Sequence, residues 1–268
     1  GIKIGQIFDG VSQKINTPSI DLYYERGLKN QQKVYANIVG SYAKVETGRN
    51  YIEYDNANTL FKEQFGLSSD KYSLIAEGIY EKGFTYGSLK FGAKHIQSFT
   101  KQEVQQNGVF KSDLNQMETS VFSEWNHSKD KFSCSLGLKA NRVHFSNISI
   151  NKSYYNFLPK AMLGYRLNEN SFIRYDVEMS QTNPTLVELT DTEIRLDPYL
   201  AERGNLLLKP YSNLNNNLFY EHKKGLFTFN ANLRHHYKHN PIMESVKEQG
   251  NIFLIIPENM KSWNKYNA

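Results

Sequence analysis

The sequence lacks the features that define several common classes of protein. It contains one cysteine, Cys134, so an internal disulfide framework is excluded. The longest uninterrupted apolar run is residues 252–256, far shorter than the ~20 residues that a membrane-spanning helix needs. No basic segment followed by an apolar one opens the chain, so no secretion signal is recognised there. Lys and Arg are dispersed despite a net charge of +5, and without a basic patch or a known module nucleic-acid binding is not expected.

Tyrosine and phenylalanine, by contrast, are abundant. Aromatic residues make up 13% of the chain, with 18 Tyr and 16 Phe, while all hydrophobic residues together reach only 39%. A wide membrane β-barrel reconciles these figures, because the side chains that line its lumen stay polar while aromatic rings form girdles at the lipid boundary. A tyrosine-rich soluble β-sandwich has a similar composition, so composition leaves both architectures open.

The pattern of side chains predicts β-strands throughout the chain. In 155–167 the odd positions are mostly apolar, whereas the even positions include Lys160 and Arg166. The same period of two recurs in 171–180 and 226–238, and it indicates strands with one apolar and one wet face. We predict strands near 19–28, 32–46, 71–81, 84–97, 114–127, 131–144, 154–167, 171–180, 212–222, 226–238 and 250–256, with a further start at 262–268.

The connections between these strands are predicted to alternate in length. Short polar turns are predicted at 29–31, 82–83, 128–131, 168–170 and 223–225, and longer polar stretches at 47–70, 98–113, 145–153, 180–212 and 239–250. A meander with short turns at one end and long loops at the other is how bacterial outer-membrane barrels are built. Several strands also exceed the 9–11 residues that cross a bilayer at a tilt, which favours strands that project beyond the membrane.

The sequence therefore predicts an all-β, antiparallel up-and-down meander of about 11–12 strands. We expect it to form a transmembrane β-barrel segment, with one domain over 1–268 in the bacterial outer membrane. Apolar side chains such as Leu163 and Phe229 are expected to face the membrane lipid, while Lys160 and Arg174 face the lumen.

The most distinctive part of the sequence lies between the predicted strands at 171–180 and 212–222. Asn183-Pro184 predicts the start of one short helix, and further on the chain reads Gly204-Asn205-Leu206-Leu207-Leu208-Lys209-Pro210-Tyr211. This text resembles the barrel of TonB-dependent outer-membrane receptors, where a Gly-Asn-Pro-x-Leu-Lys-Pro-Glu element opens a descending strand. The residues that match this element are Gly204, Asn205, Leu208, Lys209 and Pro210. Leu206 and Tyr211 replace its first Pro and its Glu.

Two physical expectations follow from this element. Gly204 is expected to adopt backbone angles closed to other residues, and Pro210 to stiffen the chain before strand pairing resumes. Residues 18–24 and 37–42 are similar to barrels of the Bacteroidetes branch of the same family, and the resemblance as a whole covers 17–222.

The resemblance implies a receptor for energy-coupled nutrient uptake. Such a receptor has a barrel of about 22 strands closed by an N-terminal plug domain. We recognise about half of those strands and no plug, so we expect this chain to be a piece of a larger barrel. The implied partners are the plug domain and the TonB energy complex of the full-length protein, the outer-membrane lipid and an unknown nutrient ligand.

If the chain contacts that ligand, we expect the contacts at 184–205, where polar side chains cluster near the predicted rim. The candidates are Glu188, Asp191, Arg195, Asp197, Tyr199, Glu202, Arg203 and Asn205.

The sequence gives little support to an enzymatic or a metal-binding function. Asp176 and Glu178 share a strand face as a glycosidase pair does, but Arg174 beside them favours a salt-bridged lining. His235 and His236 point to opposite faces of a strand and cannot chelate together. No nucleophile elbow, phosphate loop or Cys-x-x-Cys is present, so we expect no catalytic residues, metal site or cofactor.

Two other functions remain open at this point. The chain could form a passive or structural outer-membrane barrel, or a soluble carbohydrate-binding or adhesive β-sandwich. The sandwich would bury its apolar strand faces between two sheets.

Overall fold

The computed structural model describes residues 6–55 and 58–267, and most of them lie in β-strands. The strands are β1 (Gln6–Asn16), β2 (Ser19–Leu28), β3 (Gln32–Asp55), β4 (Asn58–Phe84), β5 (Gly87–Gln105), β6 (Val109–Lys129), β7 (Phe132–Ser146), β8 (Asn151–Asn168), β9 (Ser171–Thr182), β10 (Glu193–Arg195), β11 (Leu200–Arg203), β12 (Tyr211–Lys224), β13 (Phe227–His239), β14 (Ile242–Gln249), β15 (Ile252–Asn259) and β16 (Trp263–Asn267). The described residues contain no helix long and apolar enough to span a membrane.

Twelve of these strands form one antiparallel sheet in the order β1-β3-β4-β5-β6-β7-β8-β9-β12-β13-β16, with β2 also on β3. This sheet, which we call the wall, confirms the predicted meander. β1 was not predicted. β1 and β2 pair with successive parts of β3 and are separated by a break at Thr17-Pro18. At this break the N–H of Tyr42 donates to the carbonyl of Pro18 at 3.0 Å.

The wall strands are longer than the sequence predicts. β3 has 24 residues and β4 has 27, so the polar stretch at 47–70 is largely strand rather than loop. The stretch at 98–113 is likewise a hairpin, which turns at 106–108. The predicted alternation of loop lengths is therefore wrong in the first half of the chain. Above the lipid both faces of a strand meet water, so the period-two signal that identifies strands fades there.

The short turns are mostly where the sequence predicts them. Asn30 and Gln31 take positive φ of 59° and 58°, which suits a tight hairpin turn. The prediction at 82–83 is wrong, because β4 continues to Phe84. The N–H of Gly83 donates to the carbonyl of Gln31 at 2.7 Å and so keeps this part of β4 in the ladder.

The two faces of the wall differ as predicted. Cross-strand register places Tyr80, Phe91, Ser123, Leu138 and Pro159 on one face, and Glu81, Lys90, Glu124, Gly137 and Lys160 on the other. We call these the apolar face and the polar face. No second sheet packs on the apolar face of the described strands, where Leu163 is 44% and Phe229 is 60% exposed. A soluble sandwich, which would bury these side chains, is therefore excluded.

A second, four-stranded sheet is built from the two longest connections. Its order is β10-β11-β15-β14, and β11 pairs with β15 in parallel. We call this sheet, together with 183–210 and 240–262, the rim. The prediction of 250–256 as a wall strand is wrong: β15 is buried at Leu254 and Ile256 and belongs to the rim. Its run of apolar residues lacks alternation because neither face is lipid.

The largest buried cluster joins the rim to the wall. Wall residues Leu114, Val143 and Phe145 pack with Leu186, Leu189 and Leu208 of the rim. Register places the three wall residues on the polar face, near the end of the strands that is remote from the short turns. The rim therefore covers the polar face, which identifies that face as the inner one.

Candidate ligand site at the rim

The segment 183–190 makes a single turn rather than the predicted short helix. The Glu188 carboxylate accepts hydrogen bonds from the N–H of Thr185 at 2.7 Å and from its hydroxyl at 2.9 Å, and the N–H of Glu188 donates back to that hydroxyl at 3.3 Å. This reciprocal arrangement is a capping box, with Thr185 as the cap instead of Asn183. The turn ends there because the carbonyl of Glu188 accepts a hydrogen bond from the N–H of Asn205, at 2.6 Å.

Gly204 is required for space rather than for unusual backbone angles. Its φ is not among the positive values of the described residues, so the expected role is wrong. A Cβ at this position would lie 2.2 Å from the carbonyl oxygen of Thr190 and 2.5 Å from that of Val187. The glycine therefore lets β11 end directly against the turn.

Asn205 and Asn259 fasten the two rim connections to each other. The Asn205 side chain donates to the carbonyl of Pro257 at 3.0 Å and accepts from the N–H of Leu207 at 2.9 Å. The Asn259 side chain accepts from the N–H of Lys209 at 2.9 Å and donates to its carbonyl at 3.0 Å. The Gly204–Pro210 element is thus architectural: Leu208 is 2% exposed, and Pro210 precedes β12 directly.

Arg195 and Asp197 also serve the loop itself. The backbone of Arg195 pairs with the Gln106 side chain through two hydrogen bonds of 2.6 and 2.8 Å, and this ties the rim to the tip of the β5–β6 hairpin. The guanidinium donates to the carbonyls of Asp197, at 2.8 Å, and Pro198. Asp197 accepts the N–H of Tyr199 at 2.8 Å. Both side chains therefore stabilise the fold of the loop itself.

A cavity of about 460 Å³ lies between the rim and the wall. Three of the predicted ligand residues line it, namely Glu188, Glu202 and Arg203. Met243 and Glu244 of β14 line it as well, and Gln102 of the wall, which is 5% exposed, contributes to the same cavity. Asp191 and Tyr199 are exposed outside it and Asn205 is used structurally, so the structure brings together only part of the predicted set.

Sequence reasoning missed the β14 contribution to this cavity. The signal was present, because Gly250-Asn251 separates two short segments and reads as a hairpin turn. Gly250 indeed has a φ of 63°.

Glu202 is the electrostatically distinctive group of the cavity. Burial raises the pKa of its carboxyl above the usual value of 4.5, and the charge of Glu244 raises it further. Two carboxyls of like charge in one half-buried cavity favour the protonated form of one of them. Among residues 6–55 and 58–267, no group of three His, Cys, Asp or Glu side chains is arranged to hold a metal ion.

A wall of antiparallel strands with an apolar outer face, a polar inner face and a rim folded over that inner face is typical of transmembrane β-barrels. Residues 29–268 match the model of the outer membrane protein beta-barrel family. The chain belongs to this family and to the outer membrane. Among curated proteins no significant match is found.

The solved structures of similar fold are named as receptors and transporters. The siderophore receptor PirA from Acinetobacter baumannii is 13% identical over 95% of this chain and 50% of its own, with a TM-score of 0.57. BauA, the ferric preacinetobactin receptor of the same organism, is 12% identical over 91% and 40% of the two chains, also with a TM-score of 0.57.

The copper transporter OprC is 9% identical over 85% of this chain and 42% of its own, again with a TM-score of 0.57. The chain thus spans about half of the length of these receptors. At such identities the likeness concerns the fold.

Proposed function

We propose that this chain supplies part of the barrel wall and of the extracellular rim of an outer-membrane receptor for energy-coupled, TonB-dependent nutrient uptake. The observation that carries the proposal is the rim, which folds inward over the polar face instead of standing open. A rim that narrows the lumen suits a selective receptor better than a general pore. The plug domain and the TonB energy complex are the partners expected in the full-length protein.

An incomplete wall is part of this proposal. Among the described strands, β16 pairs only with β13, and β1 and β2 pair only with β3, so the twelve-stranded sheet is not closed. Unpaired strand edges in lipid are costly, because no water is present to satisfy their backbone groups. Further strands of a larger barrel would satisfy them.

The proposed ligand contacts are at the rim cavity, with Glu202 and Arg203 as the principal polar groups. The solved receptors of similar fold are named for ferric siderophores and copper, so a metal chelate is the first ligand class to test. Such a chelate would place an apolar part against Met243 and hydrogen-bonding groups against Arg203. An anionic group would be attracted by the Arg203 guanidinium.

The test is uptake by the native host, which carries its own energy-coupling proteins. The gene is deleted, and growth is measured under iron limitation with single ferric chelates as the iron source. We expect loss of growth on at least one chelate, restored by the wild-type gene and abolished by a protonophore. Uptake that persists with the protonophore would identify a passive barrel and contradict the proposal.

The rim cavity is tested with Arg203→Ala and Glu202→Gln in the same complementation. The matched control is Glu248→Gln, an exposed carboxylate of β14 outside the cavity. The cavity variants should lower uptake while the protein level in the outer membrane is unchanged. An equal effect of the control variant would show that the cavity is not the ligand site.

A further inference from the structure

A second cleft of about 280 Å³ lies on the polar face of the wall, away from the rim cavity. Its polar lining includes Glu118, Lys139, Asn141, Lys160, Glu178 and Gln181. These residues belong to β6, β7, β8 and β9, so the cleft is built by four neighbouring strands of a rigid sheet.

Both lysines of the cleft are already paired with a carboxylate other than Glu178. Lys139 forms an ion pair of 3.1 Å with Glu118. Lys160 is the register partner of Glu178, yet its amine contacts Glu124 of β6 instead. Gly137 makes this reach possible, because a Cβ there would meet the Lys160 side chain at 2.5 Å. The glycine therefore leaves room for Lys160 to lie over β7 and pair with Glu124.

Glu178 is consequently left without an ion pair among the described residues, although its side chain borders the cleft. No Lys, Arg or His nitrogen of the described chain lies within 4.0 Å of its carboxylate, whereas Glu118 and Glu124 each have a lysine. An unpaired carboxylate in a polar cleft is a ready acceptor for a cation.

Asn141 supplies a second vacant acceptor. It is 6% exposed, and its Oδ1 has no hydrogen-bond partner in the described chain. Its Nδ2 donates to Oε1 of Glu118 and to Oε1 of Gln181, each at 3.3 Å. The orientation of this amide is fixed, because the ionised Glu118 carboxylate only accepts hydrogen bonds.

We propose that this cleft is a subsite for a cationic hydrogen-bond donor, a guanidinium or ammonium group. The remaining polar groups support this assignment, since the Asn141 amide donates to two neighbouring acceptors at 3.3 Å and the Gln181 amide donates to Asn183 at 3.0 Å. The group comes either from a free ligand or from a side chain of another polypeptide segment that enters the lumen. The inference rests on the proposed function in taking the polar face as the lumen wall and the chain as part of a larger barrel.

The probe is butylguanidinium, titrated into the full chain folded in detergent micelles and followed by the side-chain amide resonance of Asn141. Butylurea, which is neutral and has nearly the same shape, is the ligand control. We expect saturable binding of butylguanidinium that is about tenfold or more tighter than that of butylurea, because a charged hydrogen bond is lost in the neutral analogue. Equal binding of both, or no saturable binding, would overturn the proposal.

Three variants locate the site. Glu178→Gln is expected to weaken binding about tenfold, and Glu178→Lys to abolish it because the chain then supplies the cation itself. Glu178 is exposed, so both variants should fold. Glu77→Gln is the matched control: Glu77 lies on the polar face, has no ion pair among the described residues and is outside the cleft. Equal weakening by Glu77→Gln would assign the binding to general charge and overturn the proposal.

The source of the cation is identified by repeating the titration on the product of the complete gene. Binding of butylguanidinium to both proteins would indicate that the natural cation is a free ligand. Binding to this chain but not to the complete gene product would indicate that a side chain of the same polypeptide occupies the cleft. Because the titration involves no energy coupling, its failure leaves the proposed uptake function standing.

Discussion

Replacing Gly204 with alanine is the sharpest test of how the rim is assembled. The new Cβ would meet three backbone carbonyl oxygens, of Thr190 at 2.2 Å, Val187 at 2.5 Å and Glu188 at 2.7 Å. Backbone atoms cannot rotate away as a side chain does, so either β11 or the turn must move. Overpacking of this kind costs about 1–3 kcal/mol. We therefore expect the amides around Leu208 and Ala201 to exchange about 5- to 150-fold faster, measured by hydrogen exchange in detergent micelles.

Two further substitutions separate lack of space from backbone strain. If Gly204 were needed for positive φ, asparagine would be tolerated better than alanine, because asparagine adopts that region readily. If space is the reason, Gly204→Asn must be at least as damaging as Gly204→Ala. Gly78→Ala is the control, since nothing lies within 4 Å of a Cβ at this wall position. Unchanged exchange in Gly204→Ala, or a loss no larger than that in Gly78→Ala, would refute the reasoning.

Three other predictions address the wall, the rim fastening and the rim cavity. Leu163→Arg should cost about 2–4 kcal/mol of membrane folding, while Met162→Arg, one residue away on the polar face, should cost little; equal folded yields in lipid vesicles would contradict the orientation. Asn259→Ala removes hydrogen bonds to both the N–H and the carbonyl of Lys209. It should destabilise the rim locally by about 1–2 kcal/mol, measured by hydrogen exchange. The control Asn213→Ala removes a single side-chain hydrogen bond and should cost less. Burial raises the folded-state pKa of Glu202 above 4.5, so its contribution to stability is complete below that pH and is lost as pH rises through the raised pKa. Glu202→Gln should therefore slow rim exchange at about pH 8 and leave it unchanged at about pH 4. The control Glu193→Gln, at an exposed rim carboxylate, should leave rim exchange unchanged at both pH values.

The wall was predictable because lipid and lumen impose different chemistry on alternate residues. In 155–167 and 226–238 apolar and polar residues alternate in the sequence, and the structure has a wall strand at both places. The same logic explains where prediction failed. In residues 47–70 of β3 and β4 polar residues occur on both faces, as expected where neither face meets lipid, and the sequence therefore predicts a loop there. The Asn107-Gly108 pair was the available signal for the hairpin that follows β5.

The sequence predicted where the rim connections lie along the chain, but not how they fold. Its four-stranded sheet depends on the parallel pairing of β11 with β15, which joins residues about fifty positions apart, and no local pattern encodes such a partner. The Gln106 side chain that pairs with the backbone of Arg195 is still more remote, 89 positions away in the sequence. A polar residue in a loop therefore carried no information about whether it would face a ligand or another part of the loop.

The division of labour within the rim follows from one physical requirement. A loop folded against a wall loses its water, and its backbone N–H and carbonyl groups must find partners within the protein. Asn205, Arg195 and Asp197 meet that requirement, which is why half-exposed polar side chains near the mouth are poor guides to ligand contacts. Glu202 and Arg203 lie on a strand whose backbone is already paired, so their side chains are free to face the cavity. Selectivity for a ligand is therefore expected to vary through β11 and β14, while the Gly204–Pro210 element is retained for assembly.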